Sequence, residues 1–387
     1  MIPYSTQTIE QEDLDAVRDV LTSGYLTCGP LIGEFEDNVA AYVGASFAVG
    51  VNSCTSALHL AMIALGVGSG DLVYVSAISF VASSNCALYQ GADVEFIDVD
   101  KYSGNLDVDY LEKMLIKAKE LNRLPKVVVA VHLSGRPVDL ERIAKLKAEY
   151  GFYLIEDAAH ALGAIYHGSR IGSCKYSDIT VLSFHPVKII TTAEGGMCLT
   201  NDEKLYKTMR KYSSHGIEHD RSCLENKDMP NFYYEMQELG FNYRLSDMQA
   251  ALGISQLKRI ESFLEARREN AKAYEELFKM ESDIHTPVAD SSDSISSWHL
   301  YQIILPDNCR DTIYRTLRER NIGVQIHYLP IYDHPYYQKI GIYEELPGAE
   351  YFFAHTLSIP LYPKLKRLDL QLVAASISSL VDKVCHE

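Results

Sequence analysis

The chain has 387 residues, of which 47% are hydrophobic and 23% are charged, so it has the composition of a globular protein and is long enough for two domains. The formal net charge of −16 argues against nucleic acid as the main partner, because a phosphate backbone is bound by clustered Lys and Arg. No basic segment followed by an apolar one opens the sequence, and no apolar run could span a bilayer, so we expect a cytoplasmic protein.

Two helices are predicted near the start of the chain. Thr8 and Gln11 form a capping-box pattern, after which apolar residues recur at helical spacing from Leu14 to Leu21. A second helix follows Asn52 and ends in a glycine-rich segment, residues 66–70. This segment resembles a dinucleotide-binding loop, but it follows a helix rather than a strand, so a helix stop is the better interpretation.

Apolar, β-branched runs then alternate with helical patterns. The strand candidates are residues 73–78, 94–99, 127–133, 153–157 and 179–184, and helical patterns between them include residues 107–118 and 139–150. Strands separated by helices imply crossover connections, which predict an α/β fold with a largely parallel sheet covered on both faces. Ligands of such sheets lie beyond the carboxyl ends of the strands.

A long helical pattern begins at Ser246, where Gln249 completes a capping box. We interpret it as a spine that joins a large domain, residues 1–250, to a smaller C-terminal α/β domain, residues 251–387. Strands are expected at residues 299–305 and 323–328, and a polar surface loop at residues 290–297.

Neither the cysteines nor the histidines indicate a metal site. The eight cysteines contain no CxxC pair, and His215, His219 and His334 have no metal-ligand spacing. In a chain of this length we expect reduced, mostly buried thiols and no bound metal.

The segment from residue 183 to residue 196 carries the most informative lysine. Lys188 follows a strand end and lies among apolar and β-branched residues, so it should lose hydration. That loss favours the neutral amine, which a nucleophile that attacks a carbonyl requires. Ser183 could donate to a phosphate, and Gly195 and Gly196 allow the backbone to pass close to a bulky neighbour. Taken alone, a lysine in a surface loop is the more ordinary interpretation.

Asp157 ends an otherwise apolar strand, so its carboxylate is either exposed at a rim or buried and paired. A buried unpaired carboxylate is costly, and a protonated pyridine nitrogen would serve as its partner. The alternative is a strand-terminal Asp that caps a neighbouring helix.

Residues 51–57 place hydroxyl groups at the predicted start of a helix. Hydroxyls and free backbone N–H groups there can bind an anion without a basic residue, which is compatible with the negative net charge. Ordinary N-capping by Asn52 or Ser53 is the alternative.

Together these segments resemble the pyridoxal-phosphate (PLP) dependent sugar aminotransferases of the DegT family, which have the fold-type I architecture of aspartate aminotransferase. The segments that carry the resemblance are residues 25–27, 52–56, 78–83, 156–160, 183–196 and 240–244. Residues 186–192, 214–216 and 324–330 further resemble family members of the pseudaminic acid pathway, and members that act on UDP-4-keto-arabinose share much of this pattern. Cys54 and Ala193 stand where many members have glycine.

The resemblance implies a role for each matching position. Lys188 would bind PLP covalently and later carry a proton, and Asp157 would pair with the pyridinium nitrogen. The other implied cofactor contacts are Thr55, Ser56, Phe80, His160, Ser183 and, from a second subunit, Asn242. The implied sugar-nucleotide contacts are Tyr4, Gly24, Tyr25, Leu26, Thr27, Cys54, Ile326, His327, Tyr328 and Leu329.

The resemblance also implies a reaction, in which L-glutamate gives its amino group to a UDP-linked 4-keto-6-deoxy-N-acetylhexosamine in a homodimer with shared active sites. Another nucleotide-sugar aminotransferase remains an alternative. Some family members are sugar 3-dehydratases, but these carry histidine in place of the lysine. A non-catalytic regulator is the remaining class, and it would bind PLP without converting it in the presence of glutamate.

Overall fold

The computed structural model describes residues 1–341 and 343–385. Its helices are α1 Gln11–Leu21, α2 Pro30–Val43, α3 Cys54–Ala64, α4 Ala82–Tyr89, α5 Val108–Glu120, α6 Leu140–Tyr150, α7 Glu203–Ser213, α8 Asp247–Leu257, α9 Ile260–Phe278, α10 Arg310–Glu319, α11 Pro335–Ile340, α12 Pro347–His355 and α13 Arg367–Cys385. Its strands are β1 Phe47–Val51, β2 Leu72–Ser76, β3 Asp93–Ile97, β4 Val127–Val131, β5 Tyr153–Asp157, β6 Ile165–Tyr166, β7 Ser169–Arg170, β8 Ile179–Ser183, β9 Gly196–Thr200, β10 Ile217–Glu218, β11 Glu235–Met236, β12 Ser294–Ile295, β13 Tyr301–Ile304 and β14 Thr356–Ile359.

The central sheet has the strand order β1-β9-β8-β5-β4-β2-β3. Neighbours from β3 to β8 are parallel, whereas β9 runs antiparallel to both β8 and β1. Alternate residues of β4 belong to two different cores, with Val128 and Ala130 on one face and Val127 and Val129 on the other. Both faces are therefore covered, and the predicted α/β fold with a largely parallel sheet is confirmed.

This topology brings three chain segments to one edge of the sheet. Because β1, β5 and β8 run in the same direction, their carboxyl ends meet there. The turn into α3 follows β1, Asp157 ends β5, and the loop with Lys188 follows β8. The three segments singled out in the sequence are thus neighbours in space.

A separate core lies in the C-terminal part of the chain, around the β13–β14 pair and helices α10 and α13. Helix α9 contributes to two cores: Ile260 and Leu264 pack into that of the sheet, whereas Tyr274 and Phe278 pack into the C-terminal one. We therefore propose that the chain divides into a large and a small domain near residue 250, with α9 as the connection.

The first helix begins later than the sequence predicts. Helix α1 has Glu10 as its N-cap, and Glu10 and Asp13 form the capping box. Thr8 is instead buried, and its carbonyl accepts a hydrogen bond from Gln256 at 2.9 Å. The prediction of Thr8 as the cap is wrong because a capping-box pattern is short and Asp13 competes with it.

The later elements also differ from the predictions. Ser246 caps a helix and forms the predicted box with Gln249, but the helical pattern is split between α8 and α9. Residues 323–328 form no strand, because only Gln325 pairs, in an isolated bridge with Ser358. Helix α2 and strand β1 were not predicted from the sequence.

Among the described residues six cysteines are free thiols, and of these Cys86, Cys174 and Cys198 are buried. Cys309 is disulfide-bonded, so the prediction of reduced thiols is wrong at this position. No CxxC spacing signals that bond in the sequence. Among the described residues, none of the helices combines the length and the apolar character that crossing a membrane requires.

Candidate active site

Lys188 lies in the loop that joins β8 to β9. Its backbone N–H donates to the carbonyl of His185 at 2.9 Å, which closes a turn. Burial lowers the pKa of Lys188 to about 8, although Cys54 and Asp157 act in the opposite direction. More of this amine is therefore neutral near pH 7 than in an exposed lysine, which suits a nucleophile.

Asp157 is the last residue of β5 and is 4% exposed. Its Oδ2 accepts a hydrogen bond from the Ser83 hydroxyl at 2.6 Å, and its Oδ1 accepts one from the Ala159 N–H at 3.1 Å. Both donors are neutral, and among the described residues no Lys or Arg side chain donates a hydrogen bond to Asp157. The buried carboxylate is therefore suited to a cation that a ligand supplies.

Glu156 lies next to Asp157 but points to the other face of the sheet, because side chains alternate along a strand. It accepts hydrogen bonds from the Ser177 hydroxyl at 2.5 Å and from His132 Nε2 at 2.9 Å. Both contacts are buried. Glu156 therefore stabilises the core, whereas Asp157 faces the carboxyl edge of the sheet.

The N-terminus of α3 presents hydroxyl and N–H groups at this edge. Ser53 is the N-cap, and its side chain accepts from the Ser56 N–H at 3.1 Å. The Ser56 hydroxyl donates to Asn52 Oδ1 at 2.7 Å. The N–H groups of Cys54 and Thr55 lie in the first turn, where a helix offers them no internal acceptor. N-capping by Ser53 and anion binding by this turn are compatible.

Strand β9 passes very close to this helix start. A Cβ atom at Gly196 would lie 2.5 Å from backbone atoms of Ser53 and Cys54, so glycine is needed here for space. Ser183 pairs with Gly196 in the β8–β9 register and is 8% exposed. Ser183 is therefore the strand partner of the residue that approaches the α3 N-terminus.

His160 is held at the same edge in one tautomer. Its Nδ1 accepts from the Ser134 N–H at 3.2 Å, so in the neutral ring Nε2 carries the proton and faces the Tyr328 hydroxyl at 3.4 Å. Burial lowers the pKa of His160 well below its usual range, and the neighbouring Lys188 and His327 lower it further. His160 is therefore neutral at physiological pH and can pack against a ligand ring.

Aromatic side chains surround His160. The Phe80 ring lies 6.3 Å from the Tyr328 ring and is 59% exposed, which leaves one of its faces available to a ligand. The rings of Tyr4 and His327 are 5.6 Å apart. Ile326 and Leu329, on either side of the His327–Tyr328 pair, are partly buried. Of the implied sugar contacts, those in the N-terminal Tyr4 segment and in residues 326–329 are thus brought together.

Of the other implied sugar contacts, Cys54 is the first residue of α3 and lies near Lys188, whereas residues 24–27 lie elsewhere in the single chain. They are exposed, and their hydrogen bonds anchor them to the start of α8: Thr27 pairs with Ser246, and the Leu26 carbonyl accepts from the Asp247 N–H at 3.1 Å. Asn242 is also exposed, and its carbonyl accepts from the Asn52 side chain at 3.5 Å. The roles of these positions remain predictions that depend on a second subunit.

Some residues that support these side chains were not predicted from the sequence. Ser79 and Ser83 form a hydroxyl pair at 2.6 Å behind Asp157. His299 is 2% exposed and its ring packs 4.3 Å from that of His160, while its Nδ1 has no hydrogen-bond partner among the described residues. Ser83 could have been found, because it lies in a segment that resembles the family. His299 has no spacing signal.

The arrangement fits PLP. Neutral donors at the α3 start suit its phosphate, the buried Asp157 carboxylate suits its ring nitrogen, and Lys188 suits its aldehyde. A largely parallel sheet that carries a lysine of lowered pKa and a buried aspartate at one edge fits an α/β enzyme that acts on carbonyl groups.

The chain belongs to the DegT/DnrJ/EryC1/StrS aminotransferase family, whose model matches residues 7–378. It is therefore an aminotransferase, as the sequence predicts.

Relatives match the chain along nearly its full length. The UDP-4-amino-4,6-dideoxy-N-acetyl-beta-L-altrosamine transaminase of Campylobacter jejuni is 39% identical over 387 residues, which cover 99% of this chain and 98% of the relative. The structure of Helicobacter pylori PseC, an aminotransferase of pseudoaminic acid biosynthesis, matches with a TM-score of 0.90 and 32% identity, over 99% of both chains. Spr1654 of Streptococcus pneumoniae, in its PLP form, matches with a TM-score of 0.89 and 28% identity, again over 99% of both chains.

Proposed function

We propose that the protein transfers the amino group of L-glutamate to carbon 4 of a UDP-linked 4-keto-6-deoxy-N-acetylhexosamine, as a step of pseudaminic acid biosynthesis. The full-length similarity to the Campylobacter and Helicobacter proteins supports the substrate and the pathway. The observation that carries the chemistry is the meeting of Lys188, whose pKa burial lowers to about 8, with the buried Asp157 at one sheet edge.

When bound, PLP supplies an aldehyde and a ring that accepts electrons. Lys188, in its neutral form, would hold the cofactor through that aldehyde, and Lys188 Nζ would carry the proton that leaves the donor α-carbon. The Asp157 carboxylate would keep the ring nitrogen protonated, and the Ser83 hydroxyl holds that carboxylate in place. In the second half of the reaction, Lys188 moves a proton in the reverse direction.

The remaining side chains of the site would hold and orient the cofactor and the sugar. Ser56, Thr55 and Ser183 would bind the phosphate, while His160 and Phe80 would pack beside the cofactor ring. Residues 326–329, together with Tyr4, would line the sugar site. We further propose a homodimer in which Asn242 and residues 24–27 complete the site of the partner subunit, because in one chain they are exposed.

The test is a reaction of PLP-loaded protein with L-glutamate and the UDP-linked 4-keto-6-deoxy-N-acetylhexosamine, followed by NMR of the product. We expect a new amine on carbon 4. UDP-4-keto-arabinose is the competing acceptor, and its preferential use would move the assignment to that sugar. Conversion of neither acceptor, or an amine on carbon 3, would contradict the proposal.

A further inference from the structure

The loop after β4 and the predicted sugar loop, residues 326–329, are joined through His160. The Ser134 N–H donates to His160 Nδ1 at 3.2 Å, and His160 Nε2 lies 3.4 Å from the Tyr328 hydroxyl. The sugar loop therefore touches a residue that is implied to lie beside the cofactor.

Gln302, on β13, closes these contacts into a ring. Its Nε2 donates at 2.9 Å to the carbonyl of His327, which immediately precedes Tyr328. Its Oε1 accepts a hydrogen bond from the Ser134 hydroxyl. The path thus runs from Ser134 through His160, Tyr328 and the His327 carbonyl to Gln302, and back to Ser134.

Gln302 is buried within this ring of hydrogen bonds, and its amide has a defined orientation. Gln302 is 5% exposed, and both ends of its amide are used, so water does not compete strongly for these hydrogen bonds. The orientation of the amide follows from its partners, because a carbonyl accepts and a hydroxyl donates. Ser358 of β14 holds the start of this loop, through its bridge with Gln325 and its contact with His327 Nδ1 at 2.8 Å, and Gln302 of β13 adds the link to Ser134.

Ser134 adopts a backbone conformation that a serine rarely takes. Its φ is 61° and its ψ is 3°, in the left-handed region. Such a residue persists when its surroundings hold it firmly, and it is commonly found at functional sites. Here two hydrogen bonds of the ring hold Ser134, one through its N–H and one through its hydroxyl.

We propose that Gln302 is a positioning residue for the keto-sugar half of the reaction, because it holds Tyr328 of the sugar loop against His160. This inference rests on the proposed function. Gln302 touches neither Lys188 nor Asp157 in the contacts of the described chain, and His160 keeps its bond to Ser134 and its packing on His299 without it. The glutamate half of the reaction should therefore not depend on Gln302.

Three variants separate the links of the ring. Gln302→Leu removes both hydrogen bonds at similar size. Gln302→Glu keeps an acceptor for the Ser134 hydroxyl but removes the donor to the His327 carbonyl. Ser134→Gly removes only the hydroxyl link, and glycine adopts the left-handed backbone freely, so this change adds no strain.

The two half-reactions are measured separately by rapid mixing of the PLP-loaded protein with glutamate, and of its amine-loaded form with the keto sugar. We expect kcat/KM for the keto sugar to fall about tenfold in Gln302→Leu and Gln302→Glu, mostly through KM, and less in Ser134→Gly. Conversion by glutamate should stay unchanged in all three. An equal fall in both half-reactions, or no fall in either, would overturn the positioning role.

A second readout needs no turnover. In ¹⁵N-histidine NMR of the PLP-loaded protein, the proton on His160 Nε2 should be visible in the wild type, with His160→Gln to assign it, and lost to solvent exchange in Gln302→Leu. If that signal persists in the variant, Gln302 does not hold Tyr328 against His160. If the wild type converts neither glutamate nor the sugar, the proposed function fails, and this signal still decides whether Gln302 positions Tyr328.

Discussion

At the scale of single residues, Asp157 and Glu156 form a matched pair of neighbouring buried carboxylates on opposite faces of β5. In Asp157→Asn the charge that would face the ring nitrogen is lost, while the size of the side chain is kept. Loss of one partner of a buried pair costs about 3–5 kcal/mol, so kcat/KM should fall roughly 10²- to 10⁴-fold in steady-state assays.

Glu156→Gln is the control for this change, because Glu156 bonds to Ser177 and His132 in the core. We expect a lower melting temperature with nearly unchanged kcat/KM for the remaining folded enzyme. A loss of only a few-fold in Asp157→Asn, or an equal loss in both variants, would mean that Asp157 does not pair with the cofactor.

The pKa of Lys188 gives a prediction of pH dependence. Burial disfavours the charged amine and lowers the pKa from 10.5 to about 8, so protonation removes the nucleophile as the pH falls through about 8. The rate at which PLP attaches to the cofactor-free protein should rise with pH up to about 8 and level off above it. Stopped-flow absorbance measures this rate, with Lys188→Ala to subtract other lysines. A rate that still climbs towards pH 10 would show an ordinary, hydrated lysine.

At the scale of elements, the close approach of β9 to the α3 N-terminus makes Gly196 a sensitive position. The methyl group of Gly196→Ala would meet the backbone of Ser53 and Cys54 at 2.5 Å, and backbone cannot move aside cheaply. We expect the free energy of unfolding to fall by about 1–3 kcal/mol and PLP to bind more weakly. Thermal melts and PLP titration measure the two effects.

Gly33→Ala is the matched control, because Gly33 lies in α2 and a Cβ there meets no atom within 4 Å. This change should leave PLP affinity unchanged and raise helix stability by about 1 kcal/mol or less. Equal behaviour of the two alanine variants would contradict the close contact at Gly196.

The parallel core of the fold is predictable from the sequence, because buried strands appear as continuous apolar runs and the helices between them carry caps. Asp139 and Asp107 cap α6 and α5 where those patterns begin. By contrast, the chain at residues 323–328 is apolar enough for a strand but is held by side-chain bonds such as that from Gln302, which no periodicity reveals. The sequence gives no sign of His299 either, because its place beside His160 depends on how the C-terminal part of the chain packs against the sheet.

At the scale of the whole molecule, the negative net charge and the anionic cofactor are reconciled by local structure. The groups near the proposed phosphate site are N–H donors and hydroxyls of the α3 start. The pKa values of His160, His299 and His327 are each lowered, first by burial and then in part by the positive charge of Lys188. The three histidines are therefore neutral at physiological pH, and the anionic cofactor would be bound by N–H and hydroxyl dipoles rather than by basic side chains.

The proposed shared site gives a prediction for the assembly. In the wild type we expect a particle of twice the 43.5 kDa chain mass by light scattering. Lys188→Ala and Asn242→Ala dimers should each be weakly active or inactive. When the two chains are co-expressed in equal amounts, about half of the dimers are mixed, and each mixed dimer contains one intact site. About a quarter of all sites should therefore be active. No recovery in confirmed mixed dimers would mean that Asn242 serves its own chain.

Whether Lys188 binds the cofactor covalently is tested by borohydride reduction of the PLP-loaded protein, followed by proteolysis and mass spectrometry. Reduction fixes a carbon–nitrogen double bond between a lysine and the cofactor aldehyde. We expect one modified peptide, with the reduced cofactor on Lys188, and no such peptide after prior treatment with glutamate. A modified peptide at another lysine, or none at all, would contradict it.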